Sequence, residues 1–188
     1  MPSLCTQKRV QQFAHTDAHV ILSAVHPWTH EVSDQGYIVD VMRPYPDPMC
    51  GAVSQACKEL DLPCVETQAA LPWGEYQKTI SGATLLVSAY DEASTGGLSL
   101  LEGYYLGKPV LISDSPWLGA SDYFGDRAAY FHGGDREHLR EQIRRLYEDR
   151  RTPDPASLRV ARNWVETTYS SAAMAARMAR RLQEVLLC

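Results

Sequence analysis

Short apolar runs alternate with amphipathic stretches along most of this chain. Residues 85–87 and 110–112 are purely apolar runs, which is typical of strands that are buried on both faces. Between them Leu98, Leu101 and Tyr105 recur at the spacing of a helix, and a Gly-Lys-Pro tripeptide ends that pattern. The stretch 84–114 therefore predicts a strand–helix–strand unit with two parallel strands.

The same alternation predicts further elements on both sides of this unit. Residues 1–17 read as a polar lead-in and residues 117–124 as a short helix or turn. The other predicted strands are 18–25, 36–42, 62–67 and 128–131, and the other predicted helices are 49–60, 74–81, 158–169, 171–187 and one capped by Asp135. Asp47, before a proline, is the predicted cap of the 49–60 helix.

Strands that alternate with helices predict an α/β fold in which helices cover both faces of a parallel sheet. We expect one Rossmann-like domain over residues 1–188, with residues 170–188 as a C-terminal helix. In such folds ligands bind beyond the carboxyl ends of the strands. The loop 91–97, which follows the predicted strand 85–87, lies at that edge.

This loop has the composition of a phosphate site. Gly96 and Gly97 allow a ligand to approach the backbone closely, and the amides of Gly97, Leu98 and Ser99 open the predicted helix. Glu102 follows one turn later, where its carboxylate would repel phosphate but could accept hydrogen bonds from sugar hydroxyls. The structural alternative is that the two glycines only form a tight turn and that Glu102 is solvated.

Composition narrows the class of protein. The chain has 188 residues, of which 45% are hydrophobic and 22% charged, as in ordinary globular proteins, and its net charge is −5. The negative charge argues against a general nucleic-acid binder. No stretch is long and apolar enough to cross a membrane, and the N-terminus lacks the pattern of a signal peptide. We expect a cytoplasmic protein.

The cysteines and histidines do not predict a metal site. Five cysteines without a secretion signal favour free thiols, and Cys57 and Cys64 fit core positions of a helix and a strand. His26 and His30 are four residues apart, but the proline between them prevents a helix that would present both rings on one face. Because His26 follows the end of a predicted strand, it could still face a ligand cleft.

Residues 94–114 carry a longer pattern, STGGLSLLEGYYLGKPVLISD. It is similar to E-G-F-G-L-x-x-L-E-A-M-A-x-G-x-P-V-V-x-S-D, which is found in retaining glycosyltransferases of family 4. The similarity extends from Gly74 to Leu187 in unbroken order, through GDRAAYF at 125–131 and Gly134-Asp135. The chain thus resembles the C-terminal, donor-binding half of GT-B glycosyltransferases.

The resemblance implies roles for individual residues. Glu102 stands at the position that binds the nucleotide ribose, and the amides of Gly97, Leu98 and Ser99 would hold the diphosphate. The resemblance places the nucleobase near residues 67–71. The glutamate that family members carry near the donor sugar corresponds to Ser94, or to Glu92 if the loop has a two-residue insertion. His26 lies where family members place a basic phosphate clamp.

The function that the resemblance implies is transfer of a sugar from a nucleotide diphosphate sugar to an acceptor, as in polysaccharide biosynthesis, without a metal or other cofactor. GT-B enzymes close their site between two domains, so the partner would be a separate acceptor-binding domain or subunit, and we expect the isolated chain to be inactive. Two other hypotheses stay open: a non-catalytic GT-B-like module for binding or assembly, and a nucleotide-sugar epimerase.

Overall fold

The chain folds into a five-stranded parallel sheet with helices on both faces. The structure is a computed structural model, and it describes residues 28, 31–41, 47–67, 71–90, 97–115, 124–149 and 154–186. Its strands are β1 (Tyr37–Asp40), β2 (Cys64–Glu66), β3 (Ala83–Ser88), β4 (Val110–Ser113) and β5 (Ala129–Phe131). Its helices over these residues are α1 (Ala52–Glu59), α2 (Trp73–Gly82), α3 (Leu98–Tyr105), α4 (Arg136–Glu148), α5 (Pro155–Tyr169) and α6 (Ser171–Leu186), with a 3₁₀ turn at Gly125–Arg127. The predicted α/β class is confirmed.

The strand order is β2-β1-β3-β4-β5, and every neighbouring pair is parallel. β1 pairs directly with β3, with Asp40 opposite Val87, so the chain reverses its direction of growth across the sheet between these two strands. In doubly wound folds the carboxyl ends at such a reversal form a crevice that binds ligands. The segments that follow β1 and β3 therefore border the expected site.

The sheet separates two cores. On one face Leu86 packs with Ile80 of α2, Leu100 of α3 and Val165 of α5. On the other face Leu85 and Val87 pack with residues of α1 and α4, among them Val53, Cys57, Leu139 and Ile143. All six residues of β3 are buried, as the apolar run predicted for a strand covered on both sides.

Helix α3 lies close to β3 because Gly103 has no side chain. A Cβ atom at Gly103 would lie 2.7 Å from Cδ2 of Leu86, well inside normal contact. The helix ends as the sequence predicts, with Gly107 in the left-handed conformation at φ 74°. The amides of Lys108 and Gly107 donate to the carbonyls of Gly103 and Tyr104, which satisfies the last turn.

Two predicted helix starts are wrong. Helix α1 begins at Ala52 rather than at residue 49, because Gly51 adopts φ 72° and interrupts the helical backbone. Asp47 instead stabilises the turn before the helix, where its carboxylate accepts from the amide of Met49 at 2.9 Å. Helix α5 begins three residues earlier than predicted, at Pro155, because Asp154 caps it and proline suits the first helical position.

One residue of the apolar stripe predicted for α3 faces solvent. Leu98, in the first turn of this helix, is 41% exposed. The predicted strand 18–25, the lead-in 1–17 and residues 117–123 of the predicted helix or turn 117–124 lie outside the described residues. Within the described ranges, no helix combines the length and the apolar character that a membrane span requires.

The amino edge of the sheet contains a buried cation. Lys108 is 6% exposed and its ammonium group donates to the carbonyl of Ser33. Asp34 lies on the same segment, and its carboxylate accepts from the Thr84 hydroxyl and from the amide of Gly36. Burial lowers the pKa of Lys108 to about 8, and the charge of Asp34 opposes that shift only in part.

We expect Gly103→Ala to destabilise the protein by about 1–3 kcal/mol, because the added methyl group overpacks the contact with Leu86. Gly74→Ala is the matched control, since a Cβ atom there meets no atom within 4 Å and alanine favours the helix. Urea unfolding of the two variants measures the difference. Equal stability of the two variants would contradict the proposed contact.

The lowered pKa of Lys108 makes stability depend on pH. Between the native pKa of about 8 and the ordinary value near 10.5, the unfolded chain holds a proton that the native state has lost, so stability rises with pH. We expect a gain on the order of 2 kcal/mol between about pH 7.5 and 9.5. The variant Lys108→Met should lack this gain in urea unfolding at the same pH values.

Tyrosine ionisation sets the highest pH at which the effect of Lys108 on stability can be measured. Burial raises the pKa of Tyr37 and Tyr130, so these groups reduce stability above about pH 10, which is opposite in sign to the effect of Lys108. The difference between wild type and variant below this limit isolates the lysine. Parallel pH profiles for the two proteins would show that Lys108 is not the group responsible.

Candidate functional site

The first turn of α3 lies at the carboxyl edge of the sheet, directly after β3. Gly97 is the residue before the helix and has no side chain that could cap it, while its carbonyl accepts from the amide of Leu101 at 2.9 Å. No acidic residue stands in this first turn. The amides of Leu98 and Ser99 are thus set among partial positive charges that favour an anion.

Glu102 is buried in the second turn of the same helix. It is only 5% exposed, so the alternative that it is a solvated surface residue is wrong. The hydroxyl of Tyr76, from α2, lies 2.5 Å from Oε2 of Glu102 and 2.7 Å from Oγ of Ser99. Because a phenol has one proton and the carboxylate is the stronger acceptor, Tyr76 donates to Glu102, and Ser99 supplies the proton of the second bond.

Topology brings Tyr76 and Glu102 together. A helix that precedes a parallel strand runs antiparallel to it, so the N-terminus of α2 lies at the carboxyl edge, as does the N-terminus of α3. Tyr76 stands in the first turns of α2 and Glu102 in the first turns of α3. The two helices pack side by side on the same face of β3, which places the phenol against the carboxylate.

Two tryptophan rings pack against Tyr76 at the edge of this network. The ring of Trp73 stacks on that of Tyr76 with centroids 5.6 Å apart, and the ring of Trp28 meets both edge-on at 5.9 and 6.2 Å. Trp73 keeps 48% of its surface exposed. The indole nitrogen of Trp28 is buried and has no hydrogen-bond partner among the described residues. The group presents an apolar face beside a buried carboxylate.

A second polar group follows β4 and β5 at the same edge. Asp114 accepts from the amide of Gly133 at 2.9 Å, and its Oδ2 lies 3.0 Å from Nδ1 of His132. Burial opposes ionisation of Asp114, but the bonds from His132 and Gly133 outweigh it and lower its pKa. These contacts tie the loop after β5 to the end of β4.

The structure describes part of the predicted site. Leu98, Ser99 and Glu102 belong to the first two turns of α3 at the carboxyl edge, and Gly97 directly precedes this helix. The remaining predicted residues lie outside the described ranges: His26, Glu92, Ser94 and Gly96. Their roles stay predictions.

Comparison with solved structures bears on the fold. The chain is similar to AviGT4, a glycosyltransferase involved in avilamycin A biosynthesis, with a TM-score of 0.66 and 14% identity over 99% of this chain and 62% of AviGT4. It is also similar to TarM, with a TM-score of 0.54 and 13% identity over 88% of this chain and 38% of TarM. The resemblance to GT-B glycosyltransferases is confirmed at the level of the fold.

Other comparisons add less. The catalytic domain of cholesterol-α-glucosyltransferase from Helicobacter pylori aligns with 75% of this chain at 15% identity, with a TM-score of 0.48. No protein-family model and no curated protein sequence matches the chain. At such low identities the similarity establishes the fold alone.

Sequence reasoning missed Tyr76 and Trp73. Tyr76 lies 26 positions from its partner Glu102, so no local motif connects the two, and Trp73 joins the group only by stacking on Tyr76. A signal was nevertheless present, because both residues open the helix that precedes a buried strand. That position alone puts their side chains at the carboxyl edge of the sheet.

We expect Tyr76→Phe to lower stability by about 1–3 kcal/mol, because it deprives a buried carboxylate of a donor. Tyr105→Phe is the control, since that hydroxyl bonds to the exposed Glu166 at 3.1 Å and should cost less than about 1 kcal/mol. A double-mutant cycle with Glu102→Gln, measured by urea unfolding, gives the coupling energy. A coupling near zero would show that the Tyr76–Glu102 bond contributes nothing.

Proposed function

We propose that this chain binds the donor of a sugar-transfer reaction, a nucleotide diphosphate sugar, across the carboxyl edge between β1 and β3. The observation that carries the proposal is the buried Glu102 one turn after a helix N-terminus to which Gly97 gives no side-chain cap, at the reversal of strand order. A helix N-terminus suits a diphosphate, and a carboxylate suits the hydroxyl groups of a ribose.

The spacing along α3 separates the place proposed for the diphosphate from the place proposed for the ribose. Leu98 and Glu102 are four residues apart, which corresponds to a rise of about 6 Å along the helix axis. A diphosphate at the amides of Gly97, Leu98 and Ser99 therefore stays clear of the carboxylate that would repel it. A neutral, hydroxyl-bearing part of the same ligand would have to reach Glu102.

Tyr76 orients Glu102 for binding. Its phenol donates to one of the two carboxylate oxygens of Glu102. The bond also fixes the orientation of the carboxylate before a ligand arrives, which reduces the entropy lost on binding. Since Glu102 is 5% exposed, a ligand would contact only the edge of the group.

Sugar transfer would require residues beyond this chain. The chain spans 62% of the length of AviGT4 and 38% of TarM, so part of each of these proteins has no counterpart in this chain. We propose that transfer takes place when an acceptor-binding domain or subunit completes the site. Glu92 or Ser94 would then lie beside the donor sugar, and His26 beside the diphosphate.

The test is a calorimetric screen of nucleoside diphosphates and their sugars against the full chain. We expect at least one nucleotide sugar to bind, and Glu102→Gln to weaken its affinity by about 10-fold or more through loss of a charge-assisted hydrogen bond. The matched control is Glu166→Gln, an exposed carboxylate on α5 that bonds to Tyr105. That variant should bind as the wild type does.

Three outcomes are distinguishable. Absence of binding by every nucleotide and nucleotide sugar would contradict the proposal, as would equal binding by the wild type and a folded Glu102→Gln variant. Binding of nucleotide sugars without transfer, even when acceptor subunits are added, would favour the non-catalytic binding module over a transferase half.

A further inference from the structure

Trp28 packs against the core that helices α2 and α3 form on one face of the sheet. Its ring meets that of Tyr76 edge-on, with centroids 6.2 Å apart, and that of Trp73 at 5.9 Å. Tyr76 is partly buried against the same core, which also contains Leu100 of α3. The ring of Trp28 therefore lies beside the phenol that donates to Glu102 at the carboxyl edge.

The indole N–H of Trp28 is a buried donor that finds no acceptor within the part of the chain that the structure describes. An indole has this one polar atom and can only donate, so no change of tautomer satisfies it. In the same described ranges, buried side-chain nitrogens without a partner also occur in Gln77, Arg162 and Arg177, but amide and guanidinium groups have further polar atoms. Packing alone would be served by a phenylalanine. The N–H of Trp28 thus indicates an acceptor that the described residues do not supply.

The surroundings of this donor suit a sugar ring better than a phosphate. Trp73 is 48% exposed and stacks on Tyr76 at an interplanar angle of 22°, which gives the site a flat apolar surface. Glu102 supplies a carboxylate, which accepts from hydroxyl groups and repels a phosphate. The C–H face of a sugar packs on an aromatic ring, and each of its hydroxyl groups accepts one bond and donates another. A neutral indole N–H supplies a donor for such a hydroxyl group without adding charge.

We propose that Trp28 donates its indole N–H to a hydroxyl oxygen of the ribose that Glu102 binds, and that the ring of Trp73 contacts the apolar face of that sugar. The inference rests on the proposed function, because the ribose belongs to the nucleotide sugar. Trp28 gives the ribose a donor as well as an acceptor, since the carboxylate of Glu102 only accepts and Tyr76 directs its proton to that carboxylate. The ribose then donates to one group and accepts from the other.

A donor that has no acceptor in the free protein has a recognisable effect on stability. Because the N–H is then an unpaired buried polar group, its removal should not destabilise the fold, although it deprives the complex of a hydrogen bond. The substitution Trp28→3-benzothienylalanine replaces the N–H with sulfur and keeps both fused rings. We expect its midpoint in urea unfolding to equal or exceed that of the wild type. A lower midpoint would show that the N–H has a partner within the protein and would overturn the proposal.

Calorimetry with ADP, CDP, GDP and UDP, and with the 2′-deoxy and 3′-deoxy forms of whichever binds, tests the contact itself. We expect Trp28→3-benzothienylalanine to weaken binding of the ribonucleotide about 3- to 10-fold, as loss of one neutral hydrogen bond implies. One of the two deoxy forms should bind equally to wild type and variant, because it lacks the oxygen that accepts the N–H. Trp28→Phe serves if the isosteric variant does not fold. The control Trp164→Phe alters another partly buried tryptophan of the same core and should bind as the wild type does.

The outcomes separate the role of Trp28 from the proposed function. Equal binding of a nucleoside diphosphate by the wild type and a folded Trp28 variant would overturn the role of Trp28 and leave the proposed function intact. A loss of affinity that is the same for the ribonucleotide and both deoxy forms would also overturn it, because the N–H would then contact another part of the ligand. Absence of binding by all four diphosphates would overturn the ribose contact, and absence of binding by their sugars as well would overturn the proposed function too.

Discussion

The pairing of β3 with β1 on one side and β4 on the other is the constraint on which the rest of the structure depends. Every residue of β3 is buried, so both faces of this strand must be covered by helices and both edges must be paired. That requirement produces the two cores. It also places the segment after β3, and with it the start of α3, at the point where the order of strands reverses.

The candidate site follows from how closely α3 approaches this strand. With glycine at position 103, the helix can lie against Leu86, and the next residue towards the N-terminus, Glu102, is carried into the protein. An ionisable group in such a position must have hydrogen-bond partners, because a buried polar group without them is costly. Tyr76 supplies one, so the same packing that stabilises the fold also orients the carboxylate.

Sequence patterns predicted those parts of the fold that depend on local interactions. They identified all five strands in the described ranges, and Gly107 marked the end of α3 correctly. Helix starts were less well predicted, because the left-handed conformation of Gly51 and the cap that Asp154 forms before Pro155 determine where α1 and α5 begin. The family resemblance identified the architecture that the solved structures share.

Contacts between residues that are distant in the sequence could not be predicted from such patterns. The periodicity of α3 suggested a buried Leu98 and allowed a solvated Glu102, whereas the structure has Leu98 exposed and Glu102 buried. The angle at which a helix meets its sheet depends on contacts such as that of Gly103 with Leu86, which spacing within one helix does not contain. For the same reason the contact of the Tyr76 phenol with Glu102 becomes visible only in the folded chain.

The two ends of α3 explain why one short helix can serve both stability and binding. Lys108 follows its C-terminus, where the helix dipole is negative, and this favourable placement offsets part of the cost of burying an ammonium group. The opposite end, after Gly97, carries the positive end of the dipole and has no side-chain cap from that residue. The cation at the amino edge of the sheet is therefore matched by groups of the protein, whereas the positive end of the dipole lies at the carboxyl edge, where it favours an anion.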